Sequence, residues 1–477
     1  MKDDNSPSPM SDPAVFDVLI VGGGPAGIFT AMELIKQSDL KIAILEKGKP
    51  LDKRHCPATA TGHCQKCNPC SMLNGWGGSG AFSDGKLTLT WRDVGGWLHE
   101  YITKDLDSLI QEVDQTFLEF GVPENRLFNP SKDPRIVRFK RQALLSGVEL
   151  IPYKIRHIGS DKTSEVLQKM YDWLVERGVQ ILFRQTVSEI LTNNGKVTGV
   201  KVAGPPQKTY SAQKVILAVG RQGAKWLREE ATRLGLRLVN NPVDVGVRVE
   251  IPAEIAAPLT DILYEFKCKF FSPSFDQLTR TFCVCPYGEV TIESYEDVLT
   301  VNGHSNADED TRTLNTNFAI LVTSQFTEPF DDPIAYGVSI ASLANMLSGG
   351  GVIVQRLADL KRGRRSNDSR MERSIVTPTL KGAVPGDLSF VLPERHLRSI
   401  LEMIEALDSI IPGIDSGNTL LYGVEAKFYS SKLELNGNLE TQIQGLYAVG
   451  DGAGVTRSLV HACVSGLVVA RSILQSQ

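Results

Sequence analysis

The sequence predicts an α/β fold built on a buried parallel sheet, and three stretches carry that prediction. The first is a strand, glycine turn, helix and second strand over residues 15–46; the second is an apolar strand, 214–220, that ends in glycine; the third is a last apolar strand that runs into Gly450-Asp451-Gly452-Ala453-Gly454 ahead of a helix. In the first unit, Phe16 to Val21 is the short apolar run that a fully buried parallel strand needs. Gly22, Gly24 and Gly27 follow at once: the first permits a tight turn, the second lets backbone approach a pyrophosphate, and the third lets helix and strand pack closely. Pro25 and Ala26 open a helix through Gln37, whose unpaired N–H groups face the phosphates. Lys41 to Leu45 is the second strand and delivers Glu46, with Lys47 beside it, where a dinucleotide's ribose hydroxyls would be held.

A chain of 477 residues can bury large cores, and its formal net charge of −4 gives nothing global to attract nucleic acid. Residues 1–14 read as a flexible polar tail without the apolar core of a signal peptide. The longest apolar stretch, Asp17 to Ile35, is interrupted by its glycine turn and is no membrane span, so the expectation is a cytoplasmic protein without a membrane partner. Lys361 to Arg365 is one dense basic run, read as a solvated loop ahead of an anion site.

Beyond Glu46, the aperiodic segment 47–72 carries Cys56, Cys64, Cys67 and Cys70. Four thiolates at this spacing suit a 4Fe-4S cluster or a closed zinc site, and the same residues could serve as reversible redox thiols or be four reduced cysteines. Next, Gly75 to Leu87 holds five glycines within eleven residues, interleaved with Ser79, Ser83, Asp84 and Lys86. Backbone so free of side chains can lie close to a flat or phosphate-bearing ligand, which makes Gly78, Ser79, Ser83, Asp84, Gly85 and Lys86 candidate contacts.

Asp93 to Phe120 has helical spacing, Asn125 to Arg138 reads as loop, and Thr163 to Arg177 as a helix. Val187 to Leu191, Val197 to Val202 and Gln207 to Ser211 suggest a meander turning at Asn194-Gly195, with Val187 at its head. The chain then returns to a buried strand ending at Gly220. From Pro242 to about Thr377, strands and long loops suggest a second, α+β unit for substrate. There, Val245, Val247 and Val249 share one strand face, with Arg248 and Glu250 on the other. Cys283 and Cys285 are expected on one face of a strand that stops at Pro286. Ile334 to Met346 is a plausible helix.

The chain's end repeats the opening chemistry. Asp451 is placed to hydrogen-bond a ribityl hydroxyl, and Gly454, Val455 and Thr456 lead into a helix, expected from near Thr456, whose dipole can face the flavin pyrimidine. A dinucleotide held by both ends of a chain points to FAD over NAD. The expected organisation is a discontinuous Rossmann-like FAD-binding unit (15–92, 150–241 and 378–477), a helical insertion at 93–149, and a substrate unit at 242–377.

On these residues, together with His157-Ile158-Gly159-Ser160-Asp161, Gly246 to Glu250 and Phe282-Cys283-Val284-Cys285-Pro286, the chain resembles a family of FAD-dependent dehydrogenases among the two-dinucleotide-binding-domain flavoproteins. The resemblance implies noncovalent FAD, a GR2-like discontinuous FAD domain and an inserted substrate domain. Two departures stand out. Arg221-Gln222-Gly223-Ala224 replaces the family's His-Ser-Ala-Arg, and Gly-Asp-Gly-Ala-Gly replaces its Gly-Glu-Gly-Ala-Gly.

The expected activity is transfer of a hydride or two electrons between a small organic substrate and flavin N5. His157, His304, Cys283 and Cys285 are the candidates for proton handling, and Arg248 for a substrate carboxylate. No second intact G-x-G-x-x-G unit is present, so NAD(P)H would be a transient donor, and a protein electron partner is an alternative. A monooxygenase, or a non-catalytic redox sensor using the cysteine loop, are the competing readings.

Overall fold

The computed structural model describes residues 14–57, 65, 67–83, 85–92, 94, 96–102, 105–295, 297–305, 309–429 and 431–476. Its first sheet has the order Gln180–Phe183, Ile42–Glu46, Ala14–Val21, Lys208–Leu217, Lys196–Val202, Val187–Asn193, and Leu446–Ala448 also pairs with Lys208–Leu217. The strands that carry the two glycine turns run parallel to their neighbours, and the meander strands join antiparallel. Ile42–Glu46 is buried at every position, as a strand covered on both faces must be.

The helix Pro25–Gln37 and the final helix Leu459–Gln475 cover one face of this sheet. They cross closely because Gly466 has no side chain: a Cβ there would run into the Ala26 carbonyl oxygen. The two ends of the chain are thereby packed directly on each other.

The second sheet has eight strands, in the order Val384–Pro385, Ile353–Arg356, Leu420–Lys427, Val243–Pro252, Asn315–Ser324, Gln277–Cys285, Lys267–Ser272, Val148–Ile151. It is mainly antiparallel, and its inner face packs Val245, Val247, Val249, Phe318, Ile320 and Val322 against the helices Ala253–Leu263 and Glu394–Leu407. A short sheet, Lys86–Thr88, Ile155–His157 and Leu127–Phe128, also positions site residues.

Four local expectations change. The stretch read as one helix over Asp93 to Phe120 holds two, Leu98–Tyr101 and Leu106–Glu119, the second capped by the Asp105 carboxylate, which accepts from the backbone N–H of Asp107 and Ser108. Part of the expected loop Asn125 to Arg138 is helix, Arg135–Leu145, which starts directly after Pro134, so the prolines at 130 and 134 mark the approach to a helix and not a continuing loop. Gln207 to Ser211 and the strand after it are one strand, Lys208–Leu217. The last helix begins at Leu459, capped by Ser458, and not near Thr456, because the chain first completes the turn at Gly454.

His396, on Glu394–Leu407, is buried and bonded through Nε2 to Ser324 Oγ at 3.1 Å. Burial, aided by Arg395, pushes its pKa down to about 4. The native state therefore holds it neutral, while the unfolded chain protonates it near 6.5. The stability this confers is present above that pH and is lost as pH falls from about 6.5 toward 4. We expect a loss of about 3 kcal/mol across that window. His396→Gln, which keeps a partner for Ser324 without titrating, should flatten this limb in urea titrations between pH 4 and 7; an unchanged limb would place its origin elsewhere.

Candidate active site

The three glycines of the opening turn play different parts. A Cβ at Gly22 would drive into the Ala218 carbonyl, and one at Gly27 into that of Gly22 with Ile20 Cγ2 at 3.1 Å, so both are required by close packing. At Gly24 a Cβ would meet nothing within 4 Å. Gly24 is also the N-cap of Pro25–Gln37, so open space lies where the helix's unpaired N–H groups point. That is the space a pyrophosphate needs.

Glu46 is 5% exposed, and its carboxylate accepts from three backbone amides: Gly23 N at 2.8 Å, Gly48 N at 2.7 Å and Gly75 N at 2.9 Å. It ties the first turn to the second glycine loop and keeps one lone-pair site for a ribose hydroxyl. Gln185 N donates to the Glu46 carbonyl at 3.0 Å, which brings Val187, at the head of its edge strand, to the same end. Lys47, its pKa lowered by burial, reaches the Gln222 carbonyl at 3.4 Å beside Gly220. Gly220, at φ +60°, is another position where a Cβ would meet nothing within 4 Å.

The second glycine loop turns through a short helix, Gly78–Phe82. Gly78 adopts φ +58° with Gly24 Cα 3.3 Å from where its Cβ would stand, so the two loops touch. Ser83 Oγ donates to the Gly80 carbonyl at 2.8 Å and accepts from Gly85 N at 3.3 Å, and Ser79 is exposed. Asp84 lies outside the described residues. The buried Arg54 anchors this loop by donating to the carbonyls of Ser71, Met72 and Trp76.

At the C-terminal turn, Asp451 Oδ1 accepts from Thr456 Oγ1 at 2.6 Å, and burial raises its pKa. Asn241 Nδ2 donates to the Gly454 carbonyl at 3.1 Å, and Trp97 N to that of Val455 at 3.0 Å. The turn is thus fixed by two segments distant from it in the chain.

The candidates for chemistry converge more than their spacing suggests. Lys86 pairs with His157 across the short sheet. Its Nζ lies 3.0 Å from Glu265 Oε2, 3.7 Å from Cys283 Sγ and 4.0 Å from Cys285 Sγ. His157 is buried, with Nε2 3.0 Å from Tyr264 Oη, which in turn lies 2.8 Å from Ser305 Oγ. Ser305 follows His304, the last residue of Val298–His304.

The expectation of two thiols on one regular strand face is corrected. Cys283 sits at φ +44°, the pairing shifts between Phe282 and Cys285, and Cys283 is partly exposed while Cys285 is buried. A hydrogen bond with Cys283, and then burial, raise the Cys285 thiol's pKa.

Arg248 is also corrected. It is 0% exposed: Nε donates to Asn317 Oδ1 at 2.7 Å, Nη1 reaches both Glu425 oxygens at 3.3 Å, and Nη2 meets the Cys283 carbonyl at 2.7 Å and Cys285 Sγ at 3.2 Å. All five donors are engaged within the protein, so no edge is left for a substrate carboxylate.

From Arg248 a chain of charges runs back toward Asp451. Glu425 Oε1 lies 3.1 Å from Lys427 Nζ, Lys427 Nζ lies 3.3 Å from Glu293 Oε2, and Glu293 Oε1 lies 3.8 Å from Arg221 Nη1. Burial opposes charge on Glu293, but Lys427 and Arg221 outweigh it and hold its pKa low. Glu293, Glu425, Lys427 and Arg221 were not anticipated as site residues. The available signal was charge inside strands otherwise fit for burial, as in Val424-Glu425-Ala426-Lys427.

Among the described residues, no three His, Cys, Asp or Glu side chains assemble as a metal site. Cys56, Cys67 and Cys70 are free thiols, and Cys64 lies outside the described residues, so the four-cysteine ligand set remains an expectation from spacing. No helix of the described residues is long and apolar enough to cross a membrane.

A parallel sheet whose first and last strands bring open glycine turns to one edge, under a helix N-terminus, is the scaffold of an FAD-dependent oxidoreductase. The chain belongs to the family described as FAD binding domain, matched over residues 17–266, and the description FAD-dependent protein, C-terminal domain-like, matches residues 242–428. An uncharacterized protein of Clostridium beijerinckii is 25% identical over 96% of this chain and 80% of its own length. Among solved structures, glycine oxidase from Geobacillus kaustophilus is 13% identical, covering 97% of this chain and 95% of its own at a TM-score of 0.39. L-proline dehydrogenase from P. horikoshii is 12% identical, covering 98% and 95% at a TM-score of 0.40.

Proposed function

We propose that this FAD-dependent oxidoreductase moves a hydride or two electrons between a small organic molecule and the flavin, with its proton handled by the cluster around Lys86, His157 and Tyr264. When bound, FAD supplies the two-electron chemistry at N5. The residues at Gly22–Gly27, Glu46, Gly78, Gly220 and Asp451–Thr456 would hold it. The observation that carries the reading is the gathering of Lys86, His157, Tyr264, Cys283 and Ser305 at the junction of the two sheets' units, on the Lys86 side of the second glycine loop.

Tyr264 Oη bridges His157 Nε2 and Ser305 Oγ, so a proton can pass along three hydrogen-bonding groups without a change of fold. Lys86, fixed by Glu265 and the Val284 carbonyl, supplies a positive charge at the same place. The charged chain from Arg248 to Arg221 is fixed before any reactant arrives, so it can stabilise developing charge without reorganising.

An anaerobic absorption spectrum with metal analysis tests the cofactor, since a purified protein without flavin bands would overturn the reading. For the proton path, Tyr264→Phe should lower turnover about a hundredfold or more at unchanged flavin content. Turnover equal to the wild type would remove Tyr264 from the path.

A further inference from the structure

Arg457 follows the Asp451–Thr456 turn and is held in an unusual way. Its guanidinium carbon lies 3.6 Å from the Trp97 ring centre and 3.4 Å from that of Tyr429, two rings set edge-on to each other at 86°. Both rings are anchored: Trp97 through its backbone N–H to Val455, and Tyr429 through its hydroxyl to Asp244. The two cation–π contacts hold the guanidinium between the rings.

Nε and Nη2 of Arg457 are buried and have no hydrogen-bond partner. These two atoms form one edge of the guanidinium fork. Arg156 turns the same edge on Asp114, Nε to Oδ1 at 2.6 Å and Nη2 to Oδ2 at 2.8 Å. Asp244 cannot serve Arg457 in this way, since Thr323 donates to its Oδ1 while Arg280 and Tyr429 occupy its Oδ2. Buried donors without an acceptor are destabilising, and a planar two-oxygen anion satisfies both at once.

We propose that the Nε–Nη2 edge of Arg457 binds the carboxylate of the substrate, so that organic acids are the substrate class. This rests on the oxidoreductase reading above. The position fits: Thr456 forms a β-bridge with Gly96, next to Trp97, and the edge belongs to the turn that carries Asp451.

The test uses the purified flavin-loaded protein, with flavin-to-protein ratio measured first. Acetate and benzoate are titrated at constant ionic strength against chloride and inorganic phosphate, and the flavin absorption spectrum is read. We expect saturable perturbation by the carboxylates alone, a Kd raised at least tenfold in Arg457→Lys, which keeps the charge but not the fork, and no saturation in Arg457→Met. Three outcomes overturn the proposal: no carboxylate-specific signal in the flavin-loaded wild type; equal Kd values in the wild type and Arg457→Lys; or loss of flavin from Arg457→Met with retention in Arg457→Lys, which would assign the edge to the cofactor. Should Arg457→Met not fold, Arg457→Lys decides. A wild type without flavin overturns the oxidoreductase reading itself, and this proposal with it.

Discussion

Gly24→Asp should fold as the wild type does and lose its FAD. The backbone at Gly24, φ −85° and ψ −178°, is open to any residue, and its Cβ would point into space empty to 4 Å. Its carbonyl still accepts from Ile28 N at 2.9 Å, so the first turn of the helix is unaffected. Native stability should therefore change by no more than about 0.5 kcal/mol. The new carboxylate would meet a pyrophosphate: unit charges about 4 Å apart at an effective dielectric near 20 repel by about 4 kcal/mol, on the order of a thousandfold in affinity. Flavin content after gel filtration, read beside a urea titration, checks both halves. A variant that keeps stoichiometric flavin would move the pyrophosphate away from Gly24, and one that unfolds would mean that the space is not open. Gly27→Ala is the contrasting control, because its Cβ would collide with the Gly22 carbonyl and damage the fold first.

Arg248→Met should destabilise the protein by about 3–5 kcal/mol. Arg248 and Glu425 are both 0% exposed, and removing the cation leaves a carboxylate in the interior with Lys427 as its remaining ionic partner among the described residues. Burial opposes the charge on Arg248, and Glu425 outweighs it and holds Arg248 charged. Arg248→Met with Glu425→Leu should recover part of the loss, because a buried ion pair replaced by apolar groups of similar size is often close to neutral. Chemical denaturation of the two variants decides; a single variant within 1 kcal/mol of the wild type would show that water reaches this pair.

The nucleotide half of the molecule was legible because its chemistry is local in sequence. Gly22, Gly24, Gly27 and Glu46 lie in one contiguous unit, and Gly450 to Gly454 repeat the logic at the other end. The network around Arg248 was not legible, since its members come from Val243–Pro252, Gln277–Cys285 and Leu420–Lys427, and only strand pairing brings them together. Alternation in Val245 to Glu250 correctly divided two faces, but it could not say that the charged face is buried too. The irregular pairing at Cys283 was equally hidden, because a positive φ at a non-glycine residue leaves no mark in composition. Arg457 could have been noticed for its place just after Val455 and Thr456, but only the structure shows that its buried edge has no acceptor.

Two ion pairs between segments distant in the chain also limit how the molecule can move. Lys86, on the short sheet, reaches Glu265, just after the helix Ala253–Leu263, and Arg221, just after the strand Lys208–Leu217, reaches Glu293. A hinge opening would separate these pairs, and the Lys86–Glu265 pair, 10% and 13% exposed, would have to break in a poorly hydrated place. Rigid-body gaping is therefore a high-energy route for this protein.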